Sequence, residues 1–259
     1  MEHKRMWEIK QQADKPGTME LYIYGDVRGD RRDFWTGEME ESQTSAEYFK
    51  QALEASPNVE QIDIYINSYG GSVFEGTAIY SQLKRHPAHK TVYVDGFACS
   101  IASVIAMAGD EIIMPRNALM MIHNMWMYAE GNAAELRKAA DDLDKINEAG
   151  REAYLQRAGG KLTAEKLREL QDAETWLNAA ECIEYGLADR YAEKDADMAA
   201  AAEVMQTITA NVQQRIKYHQ SVAAQLRQIA KPEPEPEPAP EPEPKQNTKP
   251  CLMEFLAGL

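Results

Sequence analysis

At 259 residues and a formal net charge of −14, the chain has room for one large domain and an appendage. The acidic balance argues against a nucleic-acid footprint, which needs a basic face, and three irregularly spaced cysteines argue against a disulfide framework or a zinc site. Met1–Glu8 is charged and lacks an apolar signal-peptide core, and the apolar stretch Gly96–Gly109 is too short to span a bilayer. The expected setting is the reducing cytosol, with no membrane and no nucleic acid as partner.

In chain order, residues 1–18 are polar and expected to be loose. Glu20–Gly25 reads as a strand running into a turn region at Gly25–Gly29. Thr44–Ala55 is an amphipathic helix with a capping start. Ile62–Ile66 alternates as a second strand, and Val73–Lys84 follows as a helix. His86 and His89 flank Pro87 in what reads as a surface loop. Val92–Val94 is a third strand, which Gly96 is expected to break. A nearly uniform apolar helix then follows, and such a helix is a buried one. Ile112–Ile122 gives further strand around a Pro115–Asn117 turn and delivers His123. Strand and helix alternate at βαβ spacing, so the fold class is α/β, a parallel sheet covered by helices.

Beyond Met125–Tyr128, a long helix carries Leu136, Ala139, Leu143, Ile146 and Tyr154 at three- and four-residue steps and ends at Gly159–Gly160. Thr163 caps another helix, and a last one closes on Gly186. Residues 192–230 shift to an Ala-, Gln- and Glu-rich composition with an apolar face at Val204, Ile208, Val212 and Ile216. Pro232–Pro244 cannot be helical, because proline removes the N–H donor and fixes φ. As polyproline II at ~3.1 Å per residue, it reaches on the order of 40 Å. Lys249–Leu259 is a short apolar end. The organisation expected is 1–18 flexible, 19–191 one large domain, 192–230 a helical extension, 231–248 a spacer and 249–259 an apolar tail, with the last read either as a docking peptide or as a frayed terminus.

Two strand-to-helix bends carry the chemistry. The first is Asn67-Ser68-Tyr69-Gly70-Gly71-Ser72-Val73, where paired glycines permit φ > 0 and close approach of backbone to a ligand. The second is Gly96-Phe-Ala-Cys-Ser100, where a hydroxyl meets the free N–H groups of a helix start. Ser100 alone would read as a helix cap, and His123 alone as structural. Cys99 reads as an inert buried thiol and Ser103 as packing.

Taken together, these bends, Met121-Ile122-His123, and the later Ala180-Glu-Cys-Ile-Glu-Tyr-Gly-Leu-Ala-Asp189 segment resemble the proteolytic subunit of Clp-type serine peptidases, over about residues 20–191. The resemblance implies the ClpP/crotonase-like ββα superhelix with the long helix as its handle, which interleaves with a facing ring. The same stripe reads equally as core packing within the subunit. It implies Ser100 as nucleophile, His123 as base, and the backbone N–H groups of Gly70 and Ile101 as oxyanion donors. It places the acid, counted from Trp176, on Glu174 rather than an aspartate, with Asp172 as the competing carboxylate. The substrate is expected as an added strand between the Gly71–Ser72 segment and the Met125 segment. No metal or organic cofactor is implied.

The implied partners are a polypeptide substrate and further copies in hexameric, heptameric or stacked rings. Within the family one branch docks an ATPase unfoldase. The acidic spacer, Glu174 and the C-terminal segment look more like phage enzymes that process scaffold and capsid protein inside the prohead. Two readings from other classes stay open: a crotonase-like enzyme acting on acyl-CoA thioesters, and an assembly protein that has lost its chemistry.

Overall fold

Isoleucines 62, 64 and 66 occupy alternate positions of one strand, so all three point to one face, where they are fully buried. On the same rung as Tyr65, between those isoleucines, stand Tyr22 and Tyr93 of the flanking strands. These three rings stack across the sheet with centroids 4.8 and 5.0 Å apart. The computed structural model describes residues 9–11, 17–32, 37–40, 42, 44–196 and 217.

The chain opens with β1 (Ile9–Gln11) and β2 (Thr18–Val27), then a two-stranded pair, β3 (Arg31–Arg32) and β4 (Met39–Glu40), and α1 (Ala46–Ala55). There follow β5 (Gln61–Gly71), α2 (Val73–Arg85), β6 (His89–Cys99), α3 (Ile101–Ala106), β7 (Glu111–Met114) and β8 (Leu119–Ile122). The rest is α4 (Ala133–Ala158), α5 (Ala164–Asp172), β9 (Thr175–Asn178), α6 (Ala179–Glu184) and β10 (Arg190–Tyr191). Local chemistry sets the helix starts: Ser45, Ser72 and Thr163 each accept a backbone N–H from the first turn of the helix they open. Gly159, at φ 58, closes α4 in the left-handed conformation.

One eight-stranded sheet runs β1-β2-β5-β6-β7-β10, with β8 off this path. Its centre, β2-β5-β6-β7, is parallel, as the alternation of strands and helices predicts. Strand β6 forks. Its first part, Thr91–Tyr93, pairs with β7, and its last, Phe97–Cys99, pairs with β8. Gly96 therefore does not end the strand; pairing with β8 carries it on to Cys99. The apolar helix is correspondingly short, six residues, all buried. β9, which periodicity did not predict, adds antiparallel to β8. β1 adds an antiparallel edge inside the stretch expected to be loose.

The apolar stripe of α4 divides. Tyr154 is 2% exposed and packs into the core, whereas Leu136 is 44% exposed. The chain separates into two units, Met1–Asn211 and Val212–Leu259. The first holds every element above; of the second, only Lys217 is described, as helix. The apolar face at Val204, Ile208, Val212 and Ile216, the Pro232–Pro244 run and the 249–259 end lie outside the described residues.

At the end of β5, Gly71 has φ 143, and a Cβ there would lie 2.2 Å from the Val27 carbonyl oxygen and 2.9 Å from its nitrogen. Those are backbone atoms, so no rotamer change relieves the overlap. Gly71→Ala is expected to lower unfolding free energy by roughly 2–4 kcal/mol, read from the urea midpoint. An unchanged midpoint would show that β2 and β5 are not held together at this rung.

Candidate active site

Three parallel strands, β5, β6 and β8, release their chains at the same end of the sheet, the usual place for a site in α/β folds. Ser100 is the joint between β6 and α3. Its backbone sits at φ 55, ψ −129, a conformation that L-residues rarely adopt, and its side chain does not cap the helix. Among the described non-glycine residues only Ser100 and Glu174 have positive φ. Such strain persists where the surroundings over-determine it. Here the Ser100 N–H donates to the Met121 carbonyl at 2.8 Å, extending the β6–β8 ladder by one bond beyond Cys99 and Met121.

That ladder also places the imidazole of His123. His123 follows β8 directly, and its Nε2 lies 2.7 Å from Ser100 Oγ. With Nε2 as acceptor, this is a nucleophile within reach of a base. The carboxylate expected at 174 lies just before the start of the next strand. β8 and β9 pair antiparallel as far as Ile122 with Thr175, and His123 and Glu174 are the residues just beyond that last pair. Glu174 leaves α5 in the left-handed conformation, φ 49, with its N–H donating to the Gln171 carbonyl at 3.1 Å. Asp172, the competing carboxylate, instead accepts from the Asn124 side chain at 2.6 Å.

Gly70 lies against Ser100, at φ 102. A Cβ there would be 2.8 Å from both Ser100 Cβ and the Cys99 carbonyl oxygen, and 3.2 Å from Ile101 N. This position thus borders the first amide of α3. The Gly70 N–H itself donates to Ser68 Oγ at 3.1 Å. Gly71 is exposed beside it. Ser72 has a structural part: its N–H donates to the Val27 carbonyl at 2.7 Å and its hydroxyl caps α2. The Met125 N–H donates to Asn147 Oδ1 at 2.7 Å, so a strand laid beside Met125 would have to use other groups of that segment.

Two neighbours behave differently from one another. Cys99 is fully buried, and burial pushes its thiol up to about 12. Ser103, expected as packing, donates from Oγ to the Ser100 carbonyl at 2.5 Å and lies 2.6 Å from the Tyr154 hydroxyl. Sequence spacing could suggest the first contact, since 100 and 103 share a helical face. The second joins residues 51 apart and had no local signal.

The match to the Clp protease family model spans residues 17–195. The ATP-dependent Clp protease proteolytic subunit 3 of Rhodococcus jostii is 29% identical over 167 residues, covering 63% of this chain and 82% of that protein. The ATP-dependent Clp protease proteolytic subunit of Porphyromonas gingivalis is 30% identical over 148 residues, 55% of this chain and 64% of that protein. Residues 17–195 take in both glycine-marked bends, His123 just after β8 and the turn at Glu174. The chain belongs to the Clp protease family.

Proposed function

We propose that the chain is a serine endopeptidase in which Ser100 attacks a peptide carbonyl, His123 moves the proton and Glu174 holds the imidazole. One observation carries this reading: the 2.7 Å approach of His123 Nε2 to Ser100 Oγ, with the serine on a strained bend. His123 takes the hydroxyl proton as Oγ bonds to the carbonyl carbon, then returns it to the leaving amine; water repeats the cycle on the acyl-enzyme. Glu174, which like His123 lies just beyond the last β8–β9 pair, fixes the tautomer that leaves Nε2 as acceptor. The oxyanion is taken by the Ile101 N–H and an amide of the Gly70–Gly71 bend. Because the Gly70 N–H already donates to Ser68 Oγ, its use requires that bond to be exchanged for one to the oxyanion. Each such donor is worth about 2.7–4 kcal/mol in activation free energy. The substrate lies extended past exposed Gly71, beside the Met125 segment.

The chain works as a homo-oligomeric ring in the cytoplasm, or in the prohead interior if phage-encoded. Among the described residues no helix is long and apolar enough to cross a membrane. Its partner is an assembly protein of the phage scaffold or capsid class, reached by the acidic proline spacer and the apolar end beyond it. The relatives, named as ATP-dependent Clp protease proteolytic subunits, support the rival partner, an ATPase unfoldase.

A fluorophosphonate should form a covalent adduct on Ser100 in folded protein; its absence would remove the peptidase. Iodoacetamide at pH 8 should leave Cys99 unmodified and activity intact, since the thiol is buried and protonated. Rapid inactivation with label on Cys99 would contradict this. Glu174→Ala should lower kcat by on the order of 10²–10⁴-fold, and Asp172→Ala far less; the reverse order would transfer the acid to Asp172. Deleting residues 232–259 should leave small-peptide cleavage intact and slow processing of the assembly partner. Equal loss of both would end the tether.

A further inference from the structure

Helix α4 presents Asn147, Arg151 and Tyr154 at steps of four and three, hence along one face. Each is hydrogen-bonded to a different segment of the site. Asn147, 7% exposed, accepts the N–H of Met125, two residues beyond His123. Arg151 donates from Nε to Gln171 Oε1 at 2.8 Å and from Nη2 to Asn124 Oδ1 at 2.9 Å. Asn124 adjoins His123, and the Gln171 carbonyl receives the Glu174 N–H. Tyr154, 2% exposed, reaches Ser103, which reaches the carbonyl of Ser100.

The direction of that last relay follows from proton counting. A serine hydroxyl has one proton, and Ser103 gives it to the Ser100 carbonyl. The Tyr154 hydroxyl must therefore donate to Ser103 Oγ. Two hydroxyls in series thus end on the carbonyl of the residue held at φ 55. Burying two hydroxyls costs free energy unless both are satisfied, and replacing both by apolar groups of similar shape is often nearly neutral. Stability alone gives little reason for this pair. Orientation gives one, because the Ser100 conformation is strained and needs fixed partners on both sides of its peptide units.

We propose that Tyr154, through Ser103, is a positioning residue for the nucleophile, and that α4 aligns the three catalytic segments through Asn147, Arg151 and Tyr154. The inference rests on the reading of Ser100 as nucleophile. Asn147 and Arg151 hold the backbone and side chains next to His123 and Glu174, while the Tyr154 relay fixes Ser100. One helix therefore sets the relative placement of all three.

The test uses the full chain, with Tyr154→Phe, Ser103→Ala and the double variant. Turnover of a fluorogenic peptide and the rate of fluorophosphonate labelling at Ser100 are measured per folded protein. Each single change should lower kcat by about 10- to 100-fold with KM within about twofold. Labelling should slow in parallel, and the double variant should be no slower than the worse single one. If Tyr154→Phe does not fold, Ser103→Ala carries the same expectation. Wild type labelled at Ser100 with both single variants at full kcat overturns the positioning role alone, as do losses that multiply in the double variant. Wild type without an adduct at Ser100 overturns the catalytic reading and this inference with it.

Discussion

The site depends on one backbone constraint, the left-handed conformation at Ser100. A serine in ordinary helical or extended geometry at the end of β6 would turn its hydroxyl along the helix or into the sheet. At φ 55, ψ −129 the chain bends sharply, and Oγ meets the imidazole of His123. The bend is held from both peptide units: the N–H by the Met121 carbonyl and the carbonyl by Ser103. Gly70 has to be glycine for the same reason, because any Cβ there would strike the Ser100 bend. Conformational strain, close backbone approach and the opening of α3 are therefore consequences of one requirement.

The sheet then does the remaining placement by register. β6 and β8 run side by side to Cys99 and Met121, so the residues that follow each strand emerge together. β8 and β9 pair in the opposite sense, which brings the segment before Thr175 back to the segment after Ile122. Ser100 and His123, 23 residues apart in the chain, meet because the ends of β6 and β8 are in step.

Much of this was legible in the residues. Helix starts at Ser45, Ser72 and Thr163 and the closing turn at Gly159 are local events, decided within a few residues, and they fall where the capping signals stand. The alternating isoleucines of β5 announce a strand with one buried face. Ser100, His123 and the Gly70–Gly71 bend could be singled out because each follows a strand signal. What pairing decides was not legible. Gly96 looks like a strand end, yet β8 extends β6 beyond it. The four residues of β9 are too few for a periodic signal and exist as strand because β8 is beside them. The donation of the Gly70 N–H to Ser68 Oγ and the Ser103–Tyr154 pair depend on side-chain directions that no spacing rule supplies.

For peptide hydrolysis, one carbonyl carbon has to bond to Ser100 Oγ while its oxygen faces the amides of the two bends. The structure of the protein reacted with a peptide boronic acid tests this directly. Boron should be bonded to Ser100 Oγ, with one boronate oxygen within hydrogen-bond distance of the Ile101 N–H and the His123 imidazole beside the other. Boron on a different side chain, or an adduct on Ser100 whose oxygens face away from both bends, would contradict it.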